Sequence, residues 1–256
     1  SAIDKGEISL HYQPIVRVSD CRLVGVEALA RWSHPKYGPI SPSEFIEIAE
    51  ASRHIIAFGQ FVQRQACEDV LGWMSRTGEE IRLSVNVSPN ELLSHGFAES
   101  VAEMLEVTGF PPSLLELEIT ERGVLKNIEA SCEVIEAIRE MGITIALDDF
   151  GTGYSSLSYL QKLPISHLKI DRSFISKITG NKEDRAITAL MVRMGELLNM
   201  KVIAEGVESP EQQQELIRLG CHEAQGLPVV LVHLDMASVD ISFNERSPQV
   251  GHWCDR

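Results

Sequence analysis

Apolar, β-branched runs in this chain repeatedly close on a carboxylate or an amide. They place Glu27 in VGVEAL, Asn86 in LSVNVS, Glu118 in LELEIT, Asp148 and Asp149 in ITIALDD, and Glu205 in KVIAE. A charged residue where a buried strand emerges is costly unless it meets cations, donors or water. Oxygen donors without thiolate or imidazole suit a hard divalent cation, Mg²⁺ or Mn²⁺. One such acid would mark no more than a strand reaching the surface. Several, each closing a strand, would converge on the face of a barrel where enzymes of that architecture keep their chemistry.

The elements that must position these residues alternate regularly. Residues 8–16 and 22–31, separated by a polar turn, read as a hairpin, so the first two strands are expected to be antiparallel. Ser43 is a plausible cap for a helix over 44–52, and apolar spacing predicts a second helix from Phe58 to Met74. Strands are expected at 81–87, 114–119, 143–148, 166–170 and 201–204, with helices near 97–108, 128–140, 183–198 and 210–219. Such alternation predicts parallel strands with right-handed crossovers, and the number of units suits a closed barrel. The fold expected is an α/β, TIM-like (β/α) barrel with an antiparallel first strand, forming one domain over residues 1–256.

With 256 residues, 44% of them hydrophobic, the chain can bury a large core. A net charge of −14 argues against a surface for long nucleic acid, which needs clustered Lys and Arg. A small anionic ligand is compatible with that charge if bound metal reverses the local field. Five scattered cysteines without a CxxC pair read as reduced thiols in a cytosolic compartment. No apolar run approaches the roughly 20 residues a bilayer requires. The eight histidines form no HExxH or HD pair, which argues against zinc hydrolases and histidine-based phosphodiesterases. Trp32, Trp73 and Tyr154 could stack on a base, although isolated aromatics more often serve packing.

A series of motifs carries a family resemblance: YQPIV at 12–16, EALAR at 27–31, SVNVSP at 84–89, ELEITE at 116–121, DDFGTGYSSLSYL at 148–160, LKIDRSFI at 168–175 and AEGVE at 204–208. In that order they resemble the EAL domains, phosphodiesterases of cyclic di-GMP, over about residues 7–226. The resemblance implies metal-dependent hydrolysis of cyclic di-GMP to linear pGpG. Glu27, Asn86, Glu118 and Asp148 would hold one divalent metal, and Asp148, Asp149 and Glu205 a second, with Asp148 bridging. Glu27, Lys169 and Glu205 would carry catalysis. Lys169 would orient the attacking water or assist its deprotonation, with electrostatic support as its alternative role.

The same resemblance gives substrate contacts to Gln13, Leu29, Arg31, Asp171 and Gln225. Arg31 suits a phosphate because its fork donates bidentately. Asp171 could accept from a guanine edge or cap the turn after it, and Gln225 resembles a residue supporting the water or metal shell. Glu121 would steady the glycine-rich 148–157 loop, with Glu208 as a further supporting residue. A homodimer and an upstream cyclase (GGDEF) or sensory domain are implied as partners. Glu27→Ala is expected to abolish turnover and spare the fold, even raising stability without metal, by removing one anion from a like-charged cluster.

Two departures from the family pattern stand out. Past Gly226 the chain reads LPVVLVHLDMASVDISFNERSPQVGHWCDR, without the aromatics, the RP segment and the final helix expected there; PVVLVHL could still supply a strand. The stretch AEASRHII at 49–56 lacks the glycine expected before the next helix. Members that bind cyclic di-GMP without hydrolysing it typically lack some of the ligand set. None is missing here, so a receptor, resting on the altered tail alone, is the alternative to an enzyme, and a ligand-free dimerisation module a remote third.

Overall fold

The computed structural model of the chain describes residues 2–153 and 157–226, with only the backbone of residues 157 and 158. The expectations for Tyr154 and for a strand in PVVLVHL lie outside the described residues. The fold opens with β1 (Ile8–Arg17), β2 (Leu23–His34), β3 (Gly38–Ile40), α1 (Pro42–Ala51) and α2 (Ile55–Thr77). Next come β4 (Arg82–Val87), α3 (Pro89–Leu92), α4 (Phe97–Thr108), β5 (Leu115–Thr120), α5 (Glu121–Leu125) and α6 (Ile128–Glu140). They are followed by β6 (Thr144–Phe150), α7 (Leu157–Leu160), β7 (His167–Ile170), α8 (Arg172–Ile175), α9 (Lys182–Leu197), β8 (Lys201–Glu205), α10 (Pro210–Leu219) and β9 (Glu223–Gln225).

The strands run in the order β1-β9-β8-β7-β6-β5-β4-β2-β3, and a β1–β2 pairing closes the first eight into a barrel with β3 on its rim. β1 is antiparallel to both β2 and β9, and β3 to β2, whereas β2 and β4 through β9 run parallel to one another. This is the expected TIM-like barrel. Strand alternation divides the side chains between two environments. On β5, Leu115, Leu117 and Ile119 join the hydrophobic core, while Glu116 and Glu118 meet polar side chains from other strands. Each such leucine or isoleucine buried contributes about 1.5–3 kcal/mol.

Local signals set most boundaries. Ser209 and Gln212 form a reciprocal capping box at α10, and Asn127 and Asn181 cap α6 and α9. Contrary to expectation, Ser43 is not the cap of α1: the helix starts at Pro42, behind Ser41, because proline is tolerated at the first helical position. Ser43 instead shares a 2.8 Å hydroxyl contact with Ser41. Where a glycine was expected in 49–56, Arg53 holds a left-handed backbone at φ 60°. The short elements β3, α3, α5, α8 and β9 carry too few residues to show a period. At the barrel's closing edge, any side chain at Gly226 would strike the Val207 backbone.

Candidate active site

The strand register brings distant residues to one end of the barrel. Asn86 stands opposite Glu118, Thr120 opposite Asp148, and Glu205 opposite Gln225. Across the antiparallel pair, Gln13 stands opposite Glu27. At the centre lies Lys169, whose residue is 1% exposed. Its Nζ is 2.6 Å from Glu118 Oε2, 2.8 Å from Glu205 Oε1, 3.3 Å from Glu27 Oε2 and 3.7 Å from Asp148 Oδ1. Glu27 accepts further hydrogen bonds from Asn86 Nδ2 at 2.6 Å and Gln225 Nε2 at 2.5 Å.

Burial alone would neutralise all these groups. The Lys169 ammonium nevertheless stays charged, its pKa raised well above the usual lysine value, because Glu118, Glu27, Glu205 and Asp148 outweigh desolvation. The carboxylates respond unequally. Burial works to raise Glu27, but Lys169, Gln225 and Asn86 overcome it and hold this acid below the ordinary range. Glu118 is pushed well above that range by burial and then by the Glu27 charge, despite Lys169. Glu205 is pushed up to about 7, mainly by burial. Glu118, not Glu27, is therefore the costly anion, and the expectation that Glu27→Ala raises metal-free stability is corrected.

The donor set fits a divalent cation by its chemistry. Glu118 Oε1 is buried with no hydrogen-bond partner, beside carboxylates from three other strands. An orphaned buried carboxylate oxygen calls for a ligand or a proton. Among the described residues, no group of three or more His, Cys, Asp or Glu stands in metal-binding geometry. The acids are instead arranged around the Lys169 ammonium.

Around this centre, a register shift between Leu147 and Phe150 accompanies a left-handed φ of 55° at Asp149. That kink leaves consecutive acids at one rim, as strand irregularities re-aim side chains. The Asp149 pKa is raised by burial and by the charges of Asp148 and Asp171. Glu121 is fully buried and accepts from Gly151 N at 3.2 Å and Tyr159 Oη at 2.7 Å, which ties it to the loop after β6. Glu208 is exposed, and its backbone N–H donates to Gln212 Oε1 at 2.6 Å.

On β2, Leu29 and Arg31 share the strand face of Glu27 and are half-buried, and Arg31 Nη1 donates to the Ala30 carbonyl at 2.9 Å. Asp171 accepts from Ser173 N at 3.0 Å and caps α8, the second of its two expected roles. Trp73 is fully buried, and Trp32 packs edge-on against Phe45 and donates to Glu7. Both contacts are of the packing kind.

A second polar layer, beneath the first, was not anticipated. Ser84, Glu116, His167 and Glu223 each precede a site residue by two positions on the same strand. Burial would raise the Glu116 carboxyl, but His167, Arg82 and Ser84 hold it down to about 2. Its sequence signal was the polar–apolar–polar triplet, visible in SVN, ELE, HLK and EAQ.

Comparison with known proteins agrees with this architecture. The EAL domain matches residues 1–229. MucR of Pseudomonas aeruginosa, a bifunctional diguanylate cyclase/cyclic di-GMP phosphodiesterase, is 41% identical over 88% of this chain and 33% of its own length. A structure of the MucR phosphodiesterase in complex with cyclic di-GMP superposes with a TM-score of 0.84, at 41% identity, covering 88% of this chain and 91% of that one. NbdA of the same organism, a cyclic di-GMP phosphodiesterase, is 39% identical over 88% of this chain and 29% of its length. BlrP1 of Klebsiella pneumoniae, solved with calcium and cyclic di-GMP, gives a TM-score of 0.76 at 29% identity, covering 86% of this chain and 54% of that one. The chain thus spans about a third of the MucR sequence, and with this barrel and these motifs it belongs to the EAL domain family.

Proposed function

We propose that this domain is a phosphodiesterase that hydrolyses one phosphodiester of cyclic di-GMP to linear pGpG, with Mg²⁺ or Mn²⁺ as cofactor. The observation that carries the reading is the convergence of Glu27, Glu118, Asp148 and Glu205, from four strands, on the buried Lys169, with Asn86 of a fifth strand held against Glu27. These residues, with Asp149, would hold the metal ions. When bound, such ions supply Lewis acidity toward the phosphate and a water acidic enough to attack at neutral pH.

The chain's own groups do the rest. Lys169 orients the attacking water and offsets charge building on the phosphoryl oxygens. Gln225 and Asn86 hold the Glu27 carboxylate in one orientation, which fixes the geometry of attack. Gln13, Leu29 and Arg31 would contact the substrate, with the Arg31 fork suited to a phosphate, and Asp171 would reach it only by giving up its cap on α8. Glu121 would steady the loop that follows Asp149 and β6, with Glu208 as a further supporting residue.

The reading extends to a cytosolic domain that works as a homodimer within a longer protein, behind a cyclase or sensory domain. MucR, which is named for both activities, supports that arrangement. No helix among the described residues is long and apolar enough to cross a membrane. Incubating the protein with cyclic di-GMP and Mn²⁺, beside an EDTA control, and following products by chromatography tests the activity. Metal-dependent pGpG is the expected outcome; bound but intact cyclic di-GMP would replace the enzyme with a receptor.

A further inference from the structure

The four strands β4, β5, β7 and β9 carry Asn86, Glu118, Lys169 and Gln225 at one level, and Ser84, Glu116, His167 and Glu223 two residues below. Residues two apart on a strand point the same way, about 7 Å apart, so the lower set forms a floor under the upper. Its contacts cross the barrel. Glu116 is fully buried, accepts from Ser84 Oγ at 2.7 Å, pairs with His167 Nδ1, and lies 3.5 Å from Arg82 Nε. Arg82 Nη2 donates to Glu223 at 2.5 Å.

Small residues open the space these contacts need. Ala146 of β6, a small residue, lies between β5 and β7 in register with both Glu118 and His167. Gly25, two residues before Glu27, faces Arg82: a methyl group there would meet the Arg82 carbonyl at 3.0 Å and its Cβ at 3.2 Å.

A buried ionic floor is an expensive way to fill a barrel, since hydrophobic residues of similar volume would serve stability as well or better. Its position suggests a different use. Glu116 is a carboxylate of the same length as Glu118, on the same face of the same strand, one layer down. Released from its donors, it would compete with Glu118 for any cation above and add to the negative charge there. We propose that His167 and Ser84 are positioning residues that hold Glu116 down and thereby set Glu118 and Lys169 for divalent-metal binding. This inference rests on the metal-dependent reading of the site above it.

The test compares the full chain with His167→Leu, His167→Asn and Ser84→Ala, all measured well below their melting temperatures. Mn²⁺ binding is followed by calorimetry, and kcat and KM for cyclic di-GMP are measured alongside. His167→Leu is expected to weaken Mn²⁺ binding about 10-fold and to lower kcat with little change in KM. His167→Asn, which keeps a donor near the Nδ1 position, is expected to recover most of that loss. Ser84→Ala removes one hydroxyl and is expected to weaken Mn²⁺ binding about 3-fold.

A folded His167→Leu protein that binds Mn²⁺ as the unaltered chain does would overturn the proposal. If that variant does not fold, Ser84→Ala decides, and unchanged Mn²⁺ affinity overturns it. An unaltered chain that binds Mn²⁺ but leaves cyclic di-GMP intact would refute the enzymatic reading, while the binding comparison still decides the role of the floor. One that binds no Mn²⁺ refutes both.

Discussion

Lys169 Nζ lies 2.6 Å from Glu118 Oε2, and both side chains are almost completely shielded from water at the centre of the barrel. The ammonium is the positive charge that offsets the acids around it when no other cation does so. Lys169→Met should therefore do more than stop turnover. Leaving buried acids uncompensated costs about 3–5 kcal/mol, seen as a lower melting temperature in EDTA. Saturating Mn²⁺, at about 100 times its dissociation constant, should restore about 3 kcal/mol. A variant that melts like the unaltered chain in EDTA would show that the acids are neutral without Lys169.

Glu27 and Glu118 are predicted to respond oppositely to loss of charge. Glu27 sits below the ordinary range, so its ionisation stabilises the fold above the unfolded pKa and is lost as pH falls through the folded one. Glu118 sits well above the ordinary range, so the fold binds its proton more tightly and loses stability as pH rises toward neutrality. Glu27→Gln should destabilise the metal-free protein by about 1–3 kcal/mol, through lost charge-assisted hydrogen bonds. Glu118→Gln should raise its melting temperature by about 2–4 °C, the equivalent of about 1 kcal/mol. Both should abolish turnover. Thermal melts at pH 7 in EDTA decide, and changes of the same sign would refute the asymmetry.

Arg53 holds a left-handed backbone at φ 60° between α1 and α2, at a place where glycine was expected. A non-glycine residue in that conformation costs about 1–2 kcal/mol, partly offset by the greater chain entropy glycine adds to the unfolded state. Arg53→Gly should then raise stability by about 0.5–1 kcal/mol without altering kcat. Urea unfolding at fixed pH measures this, and a destabilised variant would mean that the arginine side chain contributes more than its backbone costs.

The parallel strands were legible in the sequence because each is an apolar run closed by a polar residue, and the barrel followed from their alternation with helices. β3 and β9 were not, since three residues show no period; β3 is fixed by pairing with β2, and β9 by pairing with β1 and β8. The charged residues of the site could be named from motifs, but not which would hold its charge. That depends on Asn86 and Gln225, far from Glu27 in sequence, which the barrel brings onto Glu27 and not onto Glu118. The floor of Ser84, Glu116 and His167 was written in polar–apolar–polar triplets, which look like strand ends until the barrel shows both polar residues facing inward. Ser41, not Ser43, precedes the first helix because the proline between them sets its start.

Glu91 offers a pH test away from the site. This carboxyl in α3 is 2% exposed, accepts from Gln63 Nε2 at 2.7 Å and packs where any side chain at Gly59 would collide with it. Burial pushes its pKa up to about 8, against the hydrogen bonds from Ser88 and Gln63. The folded chain thus keeps a proton that the unfolded chain releases near 4.5, so stability falls as pH rises from about 4.5 to about 8 and then levels off. Glu91→Gln keeps an acceptor for Gln63 and removes the titration. Relative to the unaltered chain it should be neutral near pH 4 and more stable at pH 7 by up to about 3 kcal/mol. Urea melts at several pH values measure the difference, and curves that stay parallel from pH 5 to pH 8 would show that Glu91 is ionised in the fold and held by its donors instead.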